Sequence, residues 1–89
     1  MTKAFSQLMM QPTVTSAELI KTLDEYVAKG SSIHPPAVIK LMDRAGLSRS
    51  DRAHIAWAAV KAAAGLSARG LPHHAHGYRA VAAHAVFMK

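Results

Sequence analysis

The chain lacks three features that define many functional classes. None of its 89 residues is cysteine, which excludes disulfide frameworks and thiolate metal or redox sites. No acidic residue follows Asp51. The longest apolar stretch, residues 55–66, is interrupted by Lys61 and falls short of the roughly 20 residues that a membrane-spanning helix needs. The first ten residues also lack the apolar run of a signal peptide, so we expect a cytoplasmic protein with no membrane partner.

The missing carboxylates make the charge one-sided. The formal net charge is +6, and the last 38 positions contain five lysine or arginine residues, five of the six histidines and no acid. All five acids lie in the first 51 residues, where six basic residues nearly balance them. Such an asymmetry indicates an anionic partner, either DNA or an acidic protein surface.

Large apolar side chains are scarce. Apolar residues make up 51% of the chain, but eighteen of them are alanine. A chain this short buries only roughly 60–65% of its unfolded surface, and an alanine methyl contributes far less than a leucine side chain. A homodimer, which would bury additional surface, is therefore one expectation.

The periodicity predicts one all-α domain, a small bundle of about four helices over residues 14–89, preceded by a flexible arm over 1–13. The four predicted helices span about 16–29, 36–45, 49–64 and 74–88. Thr15 with Glu18, and Ser48 with Asp51, have the spacing of reciprocal N-terminal caps. No alternation typical of β-strands occurs over a useful length.

The third predicted helix is rich in alanine and has apolar residues on two sides. A helix that is apolar around most of its circumference is usually central, so we expect this one at the middle of the bundle. Its single tryptophan, Trp57, is then expected to be a core anchor, since this helix has few other large side chains.

Residues 36–64 form a predicted helix, a tight Gly46-Leu47-Ser48 turn and a second helix. Over roughly 20–25 residues this arrangement resembles the helix-turn-helix of DNA-binding proteins, although Met42 and Arg52 depart from its usual pattern of small and apolar residues. The resemblance implies a DNA-binding regulator. The residues expected to contact DNA are Arg49, Ser50 and Arg52 on the second helix, with Lys40, Arg44 and Lys61 on phosphates.

The same charge supports a second hypothesis, a protein-binding inhibitor or adaptor that docks on an acidic surface of a larger protein or complex. Small helical proteins of this size without catalytic groups are common among phage- and plasmid-encoded modulators, an analogy of size and composition only. The basic face expected for this alternative consists of Arg69, His73, His74, His76, Arg79 and Lys89.

Catalytic and metal chemistry find little support in the sequence. His73 and His76 are three positions apart and His76 and His84 eight, so the i, i+4 spacing of a shared helical metal site is absent. There is no glycine-rich phosphate loop and no nucleophile-elbow serine, and the few carboxylates lie in capping or surface positions. We expect no enzyme, no metal and no cofactor.

Overall fold

A computed structural model describes residues 4–87. Helices account for most of these residues, and none of them lies in a β-strand, which confirms the all-α prediction. The described residues form five helices where about four were expected. They are α1 (Phe5–Met9), α2 (Ser16–Lys29), α3 (Pro35–Arg44), α4 (Arg49–Ala68) and α5 (Pro72–Phe87). Met88 and Lys89, at the end of the predicted last helix and domain, lie outside the described residues.

Local capping chemistry determines where two of the helices begin. The Thr15 hydroxyl accepts a hydrogen bond from the Glu18 amide (3.2 Å), and the Glu18 carboxylate accepts one from the Thr15 amide (3.4 Å). Ser48 and Asp51 repeat this exchange at the start of α4, at 3.1 and 3.2 Å. The hydrogen bond from the Ser48 amide lowers the pKa of Asp51, because it stabilises the ionised carboxylate. Both predicted capping boxes are therefore confirmed.

The break between the last two helices is shorter than the predicted one, which covered residues 65–73. Gly65 is an interior residue of α4, which continues to Ala68, and α5 already begins at Pro72. Gly70, with φ of +78°, takes the left-handed conformation that allows the chain to turn between the two helices. The histidines at positions 73, 74 and 76 consequently lie in the first turns of a helix and not in a loop.

Part of the predicted arm is packed into the domain. Phe5 and Leu8 of α1 are buried, and the Phe5 ring lies 4.5 Å from the ring of Tyr26 on α2. The Arg44 guanidinium donates hydrogen bonds to the carbonyl oxygens of Met9 (3.2 Å) and Gln11 (2.6 Å). These contacts join residues 5–11 to α2 and α3, which differs from the flexible arm that we expected.

The helix-turn-helix-like pair is not confirmed by the packing. In such a motif the two helices lock directly against each other, but among the described residues α3 and α4 make no packing contact along their length. The buried face of α3, formed by Val38, Leu41 and Met42, belongs to a helix that packs on α5 and α1. The principal partner of α4 is α5, and the two form a long helical hairpin.

α5 is fixed against the loop that joins α2 and α3. A Cβ atom placed on Gly77 would stand 2.8 Å from the carbonyl oxygen of Ile33, so only glycine allows this approach. The adjacent Tyr78 side chain is fully buried, and its hydroxyl donates a hydrogen bond to the carbonyl oxygen of Ser31. The loop and α5 are thus joined by a close backbone contact and a buried hydrogen bond.

The two helical glycines provide a matched test of this contact. We predict that Gly77→Ala destabilises the fold by about 1–3 kcal/mol, because the new methyl group overlaps the Ile33 carbonyl. Gly65→Ala should instead stabilise it by roughly 0.5–1 kcal/mol, since nothing lies within 4 Å of the new methyl group and alanine is the better helix former. Urea denaturation of both variants measures the difference, and equal effects would contradict the close approach at Gly77.

Alkaline pH provides a test of the Tyr78 contact. Burial raises the pKa of Tyr78 to about 12 from its ordinary value of 10.0, so the folded chain holds the phenolic proton more tightly than the unfolded chain. The resulting stability is fully present below about pH 10 and is lost as the pH rises through about 12. Denaturation at stepped pH should show this decline, and Tyr78→Phe should remove it while costing about 1 kcal/mol at neutral pH. If the unfolding free energy of the variant declined with pH as steeply as that of the wild type, the decline would not come from Tyr78.

Candidate functional site

The residues predicted to contact DNA differ in their exposure and in the contacts that they make. Arg44 is engaged by the carbonyl groups of the N-terminal segment, and Arg52 is half-buried. Arg44 remains exposed, as are Lys40, Arg49, Ser50 and Lys61. Of the predicted set, only Arg52 faces protein to a large extent, while Arg44 is held by the N-terminal segment at the surface.

Trp57 lies on the surface, where its exposed fraction is 67%, so the expectation of a core anchor in a central helix is wrong. The reason is that α4 buries only one face, formed by Ile55, Ala59, Ala62, Ala63 and Leu66. The opposite side consists largely of alanine, which is apolar by composition but costs little to expose because its methyl group is small. The alanines at 53 and 64 lie there, exposed, together with Trp57.

The exposed apolar residues of α4 and α5 fall on one side of the hairpin. The Arg79 guanidinium donates a hydrogen bond to the Ser67 hydroxyl (2.8 Å), which sets the register of the two helices. Val60 lies two helical turns before Ser67 on the same face of α4, and Val86 lies two turns after Arg79 on the same face of α5. Both valines are largely exposed. The register therefore places them side by side on the outside of the hairpin.

We call the residues Trp57, Val60 and Val86 the hairpin face. Trp57 precedes Val60 by one turn of α4, and Phe87, which follows Val86 but points about 100° away from it around the helix, is 80% exposed. The face is bordered by cations: the Lys61 ammonium lies 6.0 Å from the centre of the Trp57 ring system, and Arg79 lies at the Ser67 end. It combines large exposed apolar groups with positive charge.

A cleft between α2 and α4 adjoins this face. It has a volume of about 240 Å³ and is lined by Val27, Gly30, Lys61, Ala62, Gly65, Leu66 and Arg69. Lys61, Gly65 and Arg69 follow one another at one-turn intervals along the same side of α4. The structure thus brings together Lys61, which was predicted to contact DNA, and Arg69, which was predicted for a protein partner.

Two histidines form pairs with carboxylates that the sequence did not indicate. His54 Nε2 of α4 lies 3.2 Å from a carboxylate oxygen of Asp24 on α2, and His84 Nε2 of α5 lies 3.1 Å from one of Asp43 on α3. The partners are 30 and 41 positions apart, so no local spacing could have revealed them. Each pair bridges two helices.

The histidine cluster of the predicted docking face is dispersed around α5. His73 and His76 are exposed, whereas His74 is half-buried and its Nδ1 lies 3.5 Å from the Gly30 carbonyl oxygen. Among residues 4–87, no group of three or more histidine, aspartate or glutamate side chains is arranged to hold a metal ion. Lys89, the last residue of that predicted face, lies outside the described residues.

A second cleft, of about 620 Å³, also lies near the C-terminal end of α2. Its walls come from α1, α2, the α2–α3 loop and α3, and they are mainly apolar, including Phe5, Met9, Tyr26 and Ile33. His34 is the one ionisable side chain besides Tyr26 in its lining. The positive charge that distinguishes this chain is therefore concentrated at the hairpin and not here.

No helix within the described part of the chain is both long enough and apolar enough to cross a membrane. No known protein family, curated protein or solved structure matches the chain. The hairpin face and the adjoining cleft are the features from which its function has to be inferred.

Proposed function

We propose that this chain is a non-enzymatic protein-binding module, an inhibitor or adaptor that docks through the hairpin face on an acidic and partly apolar surface of a larger protein. The observation that carries the proposal is the exposure of Trp57 beside Val60 and Val86. In a chain with one tryptophan and two phenylalanines, placing Trp57 and Phe87 on the surface leaves much of the aromatic area outside the core.

The energetic consequence favours a binding role. An aromatic side chain buries about 150–250 Å² on full desolvation, so a mostly exposed tryptophan forgoes roughly 3 kcal/mol of transfer free energy at about 25 cal/mol per Å². That free energy becomes available when a partner covers the ring. Tryptophan and arginine are the residues most enriched among those that dominate protein interfaces, and here Trp57 lies on the same hairpin as Arg79 and Arg49.

The charge of the surroundings defines the partner. Lys61 and Arg79 border the hairpin face, and no carboxylate occurs in the sequence after Asp51. Complementary potentials steer association and exclude partners of like charge. An acidic surface with apolar groups at its centre satisfies both the charge and the exposed side chains of this face.

The prediction for this function is that Trp57→Ala abolishes partner binding without loss of stability, because the side chain contacts solvent in the free protein. Met10→Ala is the matched control, since Met10 is an apolar residue in the N-terminal segment that is even more exposed (86%) than Trp57. An aromatic photo-crosslinking amino acid at position 57, which keeps a large ring in place of the indole, should yield a nuclease-resistant protein adduct in host cells. The same amino acid at position 10 should not yield it. Equal adducts from both positions would refute the proposal.

DNA binding by a regulator is the second candidate function. It is supported by the exposure of Lys40, Arg49, Ser50 and Lys61 together with the net charge of +6. Phosphate contacts from such side chains orient a protein on DNA but carry no sequence information. Any sequence specificity would come from Arg49 and Ser50, in the first turn of α4.

Duplex DNA distinguishes the two candidates. If DNA is the partner, the affinity should fall with salt at a slope of log K near −3.6, as expected for about four neutralised phosphates, and Arg49→Ala should weaken binding more than Lys21→Ala, which removes the same charge from α2. Fluorescence anisotropy of a labelled duplex measures both effects. If protein docking is the function, the two variants should have the same weak, non-specific affinity, and Trp57→Ala should leave it unchanged.

A further inference from the structure

We infer that the cleft between α2 and α4 receives an aspartate or glutamate side chain of the partner protein, held between Lys61 and Arg69. This inference rests on the proposed function, because it assigns to the docking partner a specific anchoring group. It adds a polar anchoring site beside the apolar hairpin face and predicts that the partner segment is acidic and amphipathic.

The geometry of α4 brings two cations to the same cleft. Lys61 and Arg69 are two helical turns apart, which corresponds to about 12 Å along the helix axis, and both line the cleft with Gly65 midway between them. The long side chains of lysine and arginine can approach each other across such a gap. A carboxylate located above Gly65 is therefore within reach of both groups.

Gly65 keeps the floor of this cleft open. A Cβ atom at this position would have no neighbour within 4 Å, and the residue has ordinary helical backbone geometry. Neither a close approach nor a left-handed turn requires glycine here, although glycine in a helix interior costs up to about 1 kcal/mol relative to alanine. Its effect in the folded chain is to leave room beside Lys61 and Arg69.

The lining of the cleft selects the chemistry of the occupant. Val27, Ala62 and Leu66 supply apolar walls, whereas Lys61 and Arg69 are the charged groups among the lining residues. Asp24, which lies one helical turn before Val27 on α2, is beside His54. A side chain with an apolar stem and a terminal carboxylate is complementary to this arrangement, and glutamate and aspartate on an otherwise apolar segment provide it.

A second copy of this chain is a poorer occupant than an acidic partner. In a two-fold symmetric dimer the same surface lies on both sides of the interface, so the cations of one cleft would approach those of the other. Like charges brought together across an interface cost several kcal/mol. The hairpin offers a second copy few acids to bind. All five acids of the chain lie at or before Asp51, and Asp51 itself is in the first turn of α4.

Two synthetic peptides test the inference. One is a helical amphipathic peptide with leucine on one face and glutamate on its borders, and the other is its twin with every glutamate replaced by glutamine. Trp57 is the single tryptophan of the chain and lies one turn from Lys61, so its emission reports binding directly when the peptides contain no tryptophan. The glutamate peptide should shift the emission to shorter wavelength at micromolar concentration, and the glutamine peptide should not.

Variants of the cleft residues test where the carboxylates of the peptide bind. Lys61→Ala with Arg69→Ala should weaken binding of the glutamate peptide about tenfold, as expected for two partly exposed ion pairs. Lys21→Ala with Lys40→Ala is the control, because it removes the same charge from exposed positions on α2 and α3. Gly65→Leu, which fills the cleft from a helical position with open space, should also weaken binding while the thermal stability is maintained.

Each alternative outcome is distinguishable. Equal binding of both peptides, equal losses in the two double variants, or no binding of the glutamate peptide at millimolar concentration would overturn the inference. The proposed function is tested separately by the Trp57 crosslink, which does not depend on the cleft. If duplex DNA shifts the Trp57 emission through Lys61 and Arg69 and the glutamate peptide does not, the occupant is nucleic acid and the inference is wrong.

Discussion

The close approach of α5 to the α2–α3 loop is the constraint on which the rest of the structure depends. Because Gly77 has no side chain, the Ile33 carbonyl can lie against the helix backbone, and Tyr78 can reach the Ser31 carbonyl from a fully buried position. α5 in turn packs on α3 and along the full hairpin with α4. Among the described helices α5 therefore connects α3 to α4, and α4 is left with one side facing solvent.

The small side chains of the hairpin explain why the largest one lies outside it. Ala59, Ala62, Ala75, Ala82 and Ala85 are all buried, and alanine at a helix–helix contact lets the two backbones approach closely. Protein interiors are close-packed, so an interface built from methyl groups has no space for an indole ring, and inserting one would force the helices apart. Trp57 is excluded by the same packing that holds α4 to α5. The composition of the core thus produces the exposed face on which the proposed function depends.

The features that could be predicted from the sequence are those that depend on residues close to one another in the chain. The caps at Thr15 and Ser48 were predicted, since each depends on residues within one helical turn. The orientation of Trp57 was not, because alanine on every side of α4 removes the amphipathic contrast that would identify the buried face. The placement of Lys61 and Arg69 in one cleft was missed for a different reason. The predicted helix ended at residue 64, whereas the continuous helix α4 places both residues on one face.

The fold shows where the carboxylates of the first half of the chain lie relative to the acid-free C-terminal half. Asp24 and Asp43 lie beside His54 and His84 at the borders between helices, so carboxylates from the first half of the chain are placed at the flanks of the hairpin and not on its outer face. The outer face retains its cations together with large apolar groups. The phosphate backbone of duplex DNA neutralises cations but offers no apolar surface to cover Trp57, Val60 and Val86. An acidic protein segment with apolar residues satisfies both requirements, which is why the charge asymmetry favours a protein as the anionic partner.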